Sequence, residues 1–503
     1  MGNKINEEIL EQKLEELEKS KSWSPRLISK LEGLIRSGDD YSLFRINPLK
    51  FGSEKNILEQ EVIDLFLYGT KCGIFKMNWQ LLCPGCGDVV ESFSTLRNLD
   101  SHYHCDLCQK DFEATLDDYI EISFTISPSI RKIVFHNPET LSIEDYFFKY
   151  VFSEGAVFTD GTKFADLVRK LVKIITYLEP KEKKKFELEI PPGFLVGCDR
   201  LNHGELFFYV NGESKAEIQH FSLKLVDGKY EPDKGELFPG KFVFNFENHT
   251  NKRGALLLIH FPNLPPEPLF YKPFLSGKRL LTTQTFRDLF RTEIVQGNEG
   301  IGIKDITILF TDLKGSTALY DRIGDLKAFS LVQQHFESLG KVVNNHSGAI
   351  LKTIGDAVMA TFLNSLDAVK AALSMHEEIE RFNQEHGERE LILKIGIHKG
   401  AAIAVTLNDR LDYFGQMVNI SARVQKLSDA DEIHITEEVY TYPGVRELLN
   451  GFEINITKAE LKGIKEEMRV YRINHNQRKI IELFNQNLVM FFILLLKDYI
   501  DTY

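Results

Sequence analysis

Four of the six cysteines stand in two Cys-x-x-Cys pairs, and this pattern strongly limits how the surrounding segment can fold. The first pair lies in the run CPGC and the second lies, after eighteen intervening residues, in the run CDLC. Two such hairpins place four thiolates at the corners of a tetrahedron, which suits Zn²⁺ and leaves no open position for a substrate. The sequence therefore predicts a zinc ribbon that binds one structural Zn²⁺ through Cys83, Cys86, Cys105 and Cys108.

The residues around this pattern leave other interpretations open. His102 and His104 lie close enough to compete as ligands, but four thiolates already complete the shell, so both histidines are expected at the surface. A redox pair or free buried thiols are the alternatives to zinc. The charged N-terminus lacks the apolar core of a secretory signal, so a reducing compartment and a cytoplasmic protein are expected. Cys72 and Cys198 are isolated and are expected to be small core residues.

The chain has 503 residues, which exceeds what one hydrophobic core usually supports. A net charge of −12 argues against a whole-protein role on nucleic acid, because phosphate backbones are bound by an excess of Lys and Arg. We expect a multidomain α+β protein with four parts. These are a helical segment with the zinc ribbon at 1–120, a β-rich sandwich or barrel at 121–290, an α/β domain at 296–475, and a helical tail at 476–503.

Two segments flank the α/β domain. The run FRDLFRTEIV at 286–295 predicts a helix that leads into the domain, the usual place for a transmitter from a sensor of an unknown ligand or protein. The apolar run Leu488–Leu496 is well short of the ~20 residues of a spanning helix, so no transmembrane segment is predicted. This run is interpreted as a buried C-terminal helix or dimer contact, with attachment to a membrane surface as the alternative.

The run DITILFT at 305–311 is apolar on both faces and rich in β-branched residues, which is typical of a central buried strand. Asp312 follows at its end, where a carboxylate is held firmly and faces a cleft. The residues after it can offer backbone N–H groups and small side chains to phosphate, through Gly315, Ser316 and Thr317.

A second carboxylate follows in GAILKTIGDAVMATF, where two β runs meet at a tight hairpin with Asp356 at its tip. Two neighbouring carboxylates repel each other, so a pair of Mg²⁺ or Mn²⁺ ions would stabilise them and bind the phosphates of a nucleotide. Taken alone, Asp312 and Asp356 also fit two unrelated turns.

The run LDYFGQMVNISARVQKL at 411–427 leads into a helix that presents Asn419 and Arg423, four residues apart, on one face. An amide beside a guanidinium suits a ribose and a pentavalent phosphate, where negative charge builds up during in-line displacement.

On these motifs the chain from Ile306 to Ile473 resembles the ferredoxin-like α/β catalytic domain of class III adenylyl and guanylyl cyclases. The departures are Gln416, where the family commonly has Asp, and Thr311 before the first aspartate. The region before residue 290 more faintly resembles an uncharacterised zinc-containing module found ahead of some bacterial cyclases. The resemblance implies two metal ligands (Asp312, Asp356), a purine-binding pair (Lys352, Asp412), residues for the ribose and transition state (Asn419, Arg423), and a phosphate-binding lysine (Lys462).

The purine-binding pair can be checked against base chemistry. A lysine donor and an aspartate acceptor fit adenine, whose N1 is an acceptor and whose N6 amine is a donor, whereas guanine inverts both groups. Lys352 and Asp412 therefore favour ATP, and the predicted reaction forms cyclic AMP and pyrophosphate with two Mg²⁺ or Mn²⁺ ions per active site. No side chain is an obvious general base, so a metal is expected to lower the pKa of the ribose 3′-hydroxyl.

The resemblance also implies a homodimer whose two active sites each take residues from both subunits. A single subunit is then expected to be inactive. The alternatives are a catalytically silent nucleotide-binding regulatory protein, a guanylyl cyclase, and a zinc-ribbon nucleic-acid adaptor that carries a cyclase fold. The intact set of site residues argues against the silent protein, and the acidic net charge argues against the adaptor.

Overall fold

The computed structural model describes residues 5–263, 269–291, 300–386, 391–407, 410–462, 464 and 467–478. The chain divides into two compact units, unit 1 at Met1–Gly277 and unit 2 at Lys278–Tyr503. The apolar run Leu488–Leu496, predicted as a docking helix, lies outside the described residues. No helix within the described ranges combines the length and the apolar character that a membrane crossing needs.

Unit 1 begins with helices and continues mainly as strands. Its helices are α1 (Glu7–Ser20), α2 (Pro25–Ser37), α3 (Pro48–Lys55), α4 (Glu59–Lys71), α5 (Ile143–Asp145) and α6 (Phe164–Leu171), with a π-helical turn at Tyr146–Val151. Its strands are β1 (Phe75–Leu82), β2 (Val89–Phe93), β3 (His102–Cys105), β4 (Lys110–Glu113), β5 (Ile120–Ile126), β6 (Ala156–Val157), β7 (Val172–Leu178), β8 (Lys183–Ile190), β9 (Gly193–Asp199), β10 (Gly204–Val210), β11 (Lys215–Val226), β12 (Lys229–Glu231), β13 (Lys234–Leu237), β14 (Gly240–Asn248), β15 (Gly254–Phe261), β16 (Phe270–Tyr271) and β17 (Leu275–Ser276).

Local sequence explains the helical start of unit 1. The Asn6 side chain caps α1 by accepting from the Ile9 amide, and the buried side chains Leu10, Leu14 and Leu17 recur at helical spacing. Helix α2 begins at Pro25, with Ser24 as its N-cap residue. Proline is tolerated in the first turn of a helix because the N–H that it lacks would have no partner within the helix there.

Three larger sheets and two two-stranded ribbons organise the described strands of unit 1, one of the ribbons being β16-β6. One has the order β17-β5-β1-β2, so the last strand of the unit pairs with a strand about 150 residues earlier. The strands β3 and β4 form a separate two-stranded ribbon. Two further sheets, β13-β10-β9-β15-β7 and β12-β11-β14-β8, share one apolar core and form a sandwich. Leu206 and Leu258 enter that core from the first of these sheets, and Phe244 and Phe246 enter it from the second.

Unit 2 is built around one twisted sheet. Its helices are α7 (Gly277–Leu281), α8 (Gln284–Leu289), α9 (Ser316–Ile323), α10 (Asp325–Asn345), α11 (Ser365–His386), α12 (Gln416–Leu427), α13 (Glu437–Tyr440) and α14 (Val445–Leu448). Its strands are β18 (Ile301–Leu313), β19 (Gly348–Ile354), β20 (Ala357–Phe362), β21 (Leu393–Leu407), β22 (Arg410–Phe414), β23 (Glu432–Thr436), β24 (Phe452–Ala459) and β25 (Met468–Arg478).

The sheet of unit 2 runs β19-β20-β18-β21-β23-β25-β24, and β22 pairs with the far half of β21. The first four strands have the ferredoxin-like order, with α10 and α11 as the two crossover helices. Residues 306–311 of β18 are all buried, as the double-sided apolar pattern predicts. Side chains of α10 and α11 cover one face of the sheet, whereas α12 packs on β21 and β18.

The contact between α12 and β21 depends on Gly396. A Cβ atom added there would lie 2.2 Å from the Gln425 amide nitrogen and 2.3 Å from the Gln425 Cα. Both neighbours are backbone atoms, so no side-chain rotation can relieve the clash. The helix that carries Asn419 and Arg423 is therefore seated directly on a side-chain-free position of the strand.

We expect Gly396→Ala to destabilise the fold by about 3 kcal/mol, because α12 must move off the sheet. Gly340→Ala is the matched control: it lies inside α10, where a Cβ would make an ordinary 3.5 Å contact with Ile350, and it should stabilise by up to about 1 kcal/mol. Calorimetric unfolding of the purified chain measures both effects. Equal midpoints for the two variants would contradict the close packing at Gly396.

Candidate functional site

The end of β18 holds Asp312 half-exposed beside a buried threonine. The Thr311 hydroxyl accepts a hydrogen bond from the Val358 amide at 3.1 Å, which fixes the start of β20 against the end of β18. The two strands are antiparallel, with Phe310 opposite Met359. Continuing that register by two or three residues brings Asp312 beside the turn that carries Asp356. Thr311, one of the departures from the family pattern, thus has a structural role in holding the two strands together.

The hairpin between β19 and β20 carries Asp356 at its tip, as predicted. Gly355 adopts a φ of +64°, which a glycine tolerates and which closes the tight turn. The Asp356 Oδ2 atom is buried and has no hydrogen-bond partner among the described residues. An orphaned carboxylate oxygen beside a second strand-end carboxylate fits a divalent cation that prefers oxygen ligands. The pair Asp312 and Asp356 is therefore chemically suited to hold Mg²⁺ or Mn²⁺.

Lys394 belongs to this site and was not predicted. It is the cross-strand partner of Asp312, and its Nζ atom lies 2.8 Å from the Asp312 Oδ2. Its side chain is about one-fifth exposed, so this cation offsets the carboxylate charge at the end of β18. The only signal that could have found Lys394 is the pairing register of β18 and β21, which the sequence pattern does not specify.

The loop after Asp312 leads into α9. Gly315 adopts a φ of +75° as the N-cap of α9 and is exposed, and nothing lies within 4 Å of where its Cβ would be. The first-turn residues Ser316 and Thr317 are half-exposed and exposed, so this open helix start is available to a phosphate. Lys314 forms an ion pair with Asp429 at 2.5 Å.

Lys352 and Asp412, sixty residues apart, form an ion pair between the Lys352 Nζ and the Asp412 Oδ2. A register shift between Ile350 and Lys352 places a bulge in β19, which re-aims the lysine. Asp412 is buried, and its other oxygen accepts from the Tyr413 amide at 2.8 Å. The structure thus brings together the two residues that the resemblance assigns to the purine.

Helix α8 contacts both strands of this pair. The Gln284 Oε1 accepts from the Ile350 amide at 2.7 Å, two residues before Lys352. Arg287 donates to the Leu411 carbonyl at 3.1 Å, one residue before Asp412. The predicted helix at 286–295 is therefore present in part: α8 ends at Leu289, and residues 292–299 lie outside the described part of the chain.

Asn419 and Arg423 lie on the outward face of α12. Asn419 is exposed and Arg423 is half-buried, whereas Ile420 and Val424 pack inward. Among the described residues, no hydrogen bond or ion pair joins Asn419 or Arg423 to the two strand-end aspartates. Gln416, the departure from the family pattern, is exposed at the first position of the helix.

Lys462 lies exposed in the turn between β24 and β25, and no ion pair of its side chain is found within the described residues. Its neighbours 463, 465 and 466 lie outside the described residues. The structure does not bring Lys462 into contact with the other predicted site residues.

The four predicted zinc ligands in unit 1 converge. Their Sγ atoms all lie within 4.8 Å of one another, with Cys83–Cys108 and Cys86–Cys105 each at 3.5 Å. These separations exceed a disulfide bond and approach the edge of about 3.8 Å expected for four thiolates around Zn²⁺. Burial raises the pKa of the Cys86 thiol, a cost that a bound cation reverses. The residues therefore fit a tetrahedral Zn²⁺ site.

The two histidines near the cluster lie outside it. His102 and His104 are both exposed, as expected. His104 instead bonds to Asp111 at 2.8 Å and to Glu205 of β10, so it links the ribbon to the sandwich.

Two family models match this chain, one in its first part and one in its second part. Residues 301–475 match the adenylate and guanylate cyclase catalytic domain, so this part of the chain is a class III nucleotidyl cyclase domain. Residues 10–288 match a family of unknown function, DUF5939. Because this second match covers more than half of its residues, the chain belongs to the DUF5939 family.

Individual relatives cover only part of this chain. It is 29% identical over 202 residues to an adenylate cyclase of Anabaena cylindrica, covering 35% of this chain and 39% of that protein. It is 29% identical over 131 residues to adenylate cyclase 2 of Rhizobium meliloti, covering 24% and 36%. It is 25% identical over 185 residues to guanylate cyclase 32E of Drosophila melanogaster, covering 34% and 16%. The chain thus spans less than two-fifths of these relatives.

Solved structures of similar domains include the adenylyl cyclase CyaB from P. aeruginosa, at 22% identity and a TM-score of 0.31 over 34% of this chain and 95% of that one. The guanylyl cyclase Cya2 gives 22% identity and a TM-score of 0.31 over 35% and 93%.

We expect the purified chain to contain one Zn²⁺ per molecule, because four buried thiols converge at tetrahedral spacing. Cys105→Ser should lose most of the zinc and lower the unfolding temperature, whereas Cys72→Ser, which lies outside the cluster, should retain both. Elemental analysis of protein prepared without chelator measures the metal. Metal-free wild-type protein, or full zinc content in Cys105→Ser, would overturn this assignment.

Proposed function

We propose that the protein is an adenylyl cyclase that converts ATP into 3′,5′-cyclic AMP and pyrophosphate. The observation that carries the proposal is the contact between Lys352 and Asp412, which places a donor and an acceptor side by side. When ATP binds, the lysine donates to adenine N1 and the aspartate accepts from the N6 amine, so each exchanges its partner for the base. Guanine presents an acceptor and a donor in the inverted order and leaves both groups mismatched.

The reacting end of the substrate would lie at the other motifs. Asp312 and Asp356 would hold two divalent cations, and the chemistry these would supply is neutralisation of phosphate charge and a lower pKa of the ribose 3′-hydroxyl. Lys394 and the open start of α9 after Gly315 offer positive charge and N–H donors to the triphosphate, with Lys462 as a further candidate for phosphate binding. The 3′-oxygen attacks the α-phosphorus and pyrophosphate leaves.

The face of α12 supplies the transition-state groups. Asn419 orients the ribose, and the Arg423 guanidinium donates to the pentavalent phosphate, where charge is greatest. Both side chains point outward from the subunit core and make no described contact with Asp312 or Asp356. This separation supports a site completed by a second copy of the chain.

Exposed apolar side chains beside the purine pair support the same assembly. Ile354, two residues after Lys352, is 51% exposed, and Phe414, two residues after Asp412, is 64% exposed. Large apolar side chains that flank a polar site mark a surface that a partner covers. The proposed enzyme is therefore a homodimer with two equivalent sites.

The first prediction of this proposal concerns turnover. Purified protein with Mg²⁺ or Mn²⁺ should form cyclic AMP from ATP and little cyclic GMP from GTP. Asp356→Asn should lower cyclic AMP formation on the order of a hundredfold or more, because it replaces a charged metal ligand with a neutral amide. Asp227→Asn, at the tip of the β11–β12 hairpin in unit 1, is the matched control and should leave the rate unchanged.

Chromatographic separation of the two cyclic products measures both rates. Near-normal rates in Asp356→Asn would remove the metal site from the mechanism. A preference for GTP would assign the chain to the guanylyl class, and no turnover of either nucleotide would favour a silent regulatory domain.

The second prediction separates a shared site from a self-contained one. Asp312→Ala and Arg423→Ala should each be nearly inactive alone. In a mixed dimer, one site combines both changes and the other has every wild-type residue. With random pairing, co-expression should restore about a quarter of wild-type activity. Demonstrably mixed dimers that remain as inactive as their parents would show that each site lies within one chain.

A further inference from the structure

Unit 1 contains a cavity of about 730 Å³ that the cyclase chemistry does not use. Its walls come from the loop after α2, from α3, from β1 and β5, and from the segments around residues 149–155 and 271–274. All of these segments belong to the part of the chain that matches DUF5939. The volume is within the range typical of small-molecule sites in proteins.

The floor of the cavity is a polar sheet face. Gln80 of β1 lies directly opposite Glu121 of β5, and Ser123 follows on the same face of β5. The opposite face of the same strands is apolar, with Trp79 and Ile122 fully buried. A covered sheet face is normally apolar, and a polar one costs free energy unless its groups find partners.

One polar atom of this face, the Gln80 Nε2, has no hydrogen-bond partner among the described residues. The Gln80 side chain is 1% exposed; its Oε1 accepts from the Ser123 hydroxyl at 3.1 Å, but its Nε2 has no acceptor among the described residues. A buried amide N–H without an acceptor is uncommon in native structures. The floor therefore holds one unused hydrogen-bond donor.

Arg45 adds a second incompletely satisfied donor. Its guanidinium lies over the rings of Phe44 and Tyr150, at 4.8 and 4.9 Å from their centroids, and donates to the Tyr150 carbonyl. Arg45 adopts a φ of +49°, a left-handed conformation that is rare for a residue with a side chain. No described carboxylate lies within 4.0 Å of its guanidinium.

The charged groups around Arg45 favour a ligand with a single negative charge. Burial raises the pKa of Glu121 to about 7, although the nearby Arg45 opposes the shift, so this carboxyl is partly protonated near neutral pH and can itself donate. At the rim, the single carboxylate of Glu154 pairs with Lys50 at 3.0 Å and with Lys163 at 3.2 Å, so it offsets part of the charge of these two lysines. Beside Gln80, the cavity thus presents the cation of Arg45 and a partly protonated carboxyl, a combination that suits the single charge of a carboxylate.

The remaining walls are aromatic. Phe44, Phe152, Tyr271 and Phe274 line the cavity and offer apolar surface to the body of a ligand. We propose that this cavity binds a small organic carboxylate with an apolar or aromatic body, its head group accepting from Arg45 and Gln80. The site shares no residue with the proposed nucleotide site, and its ligand would bind to the DUF5939 part of the chain.

The test measures binding to the full-length chain without nucleotide, by calorimetric titration with benzoate, phenylacetate and hexanoate. Their neutral amides and phenyl phosphate serve as chemical comparisons. At least one carboxylate should bind with a Kd on the order of 1 mM or tighter, and its amide should bind at least about tenfold more weakly. Added ATP should not displace the carboxylate, which distinguishes the cavity from the nucleotide site.

Two variants locate the binding. Arg45→Gln should weaken carboxylate binding about tenfold or more, since it removes the cation. The matched control is Arg253→Gln, which removes an arginine stacked on Tyr177 at 3.9 Å outside the cavity and should bind normally. Should Arg45→Gln fail to fold by calorimetry, Gln80→Leu, which keeps the side-chain volume, should still weaken binding several-fold.

Four results would each overturn the proposal. The first is that no carboxylate binds at concentrations up to about 10 mM, and the second is that acids and their amides bind equally well. The third is that phenyl phosphate binds more tightly than the carboxylates, and the fourth is that the Arg45 and Arg253 variants bind with equal affinity. Cyclase activity enters none of these measurements, so this proposal and the proposed function fail separately.

Discussion

The register of the central strand β18 determines the geometry of unit 2. Pairing with β20 brings the end of β18 to the hairpin of Asp356, and pairing with β21 puts Lys394 opposite Asp312. The hydrogen bond from the Val358 amide to Thr311 fixes the first of these pairings at the end of β18 that carries Asp312. A slip by one residue would exchange the two buried faces of β18 and move Asp312 away from Lys394, so the apolar core and the carboxylate pair are specified together.

Much of this geometry is readable from the sequence because local patterns encode it. The apolar run before Asp312, the Gly355 turn before Asp356 and the paired cysteines each specify their own short-range structure. The meeting of Lys352 with Asp412 followed from the family resemblance, and the structure brings them into contact. The structure forms two compact units. The division of the chain into four parts remains a prediction.

What the sequence did not reveal depends on long-range contacts. Lys394 joins the site through cross-strand register, and the bulge before Lys352 depends on how β19 pairs with β20. The cavity in unit 1 brings residues near 45, 80, 121 and 271 together, which no local periodicity records. In the sequence, Arg45 looks like an ordinary loop arginine. Only the structure shows that its guanidinium stacks on two aromatic rings and has no carboxylate of the described residues within 4.0 Å.

Helix α8 gives a physical link between the two families that share this chain. The DUF5939 match ends at residue 288, inside α8, whereas the cyclase match begins at residue 301. Gln284 and Arg287 bond to the backbones of β19 and β22 just before Lys352 and Asp412. Because one short helix holds both strands, a displacement of α8 would alter the separation of that pair. A change in the first family's segment could therefore reach Lys352 and Asp412 without any change at Asp312 or Asp356.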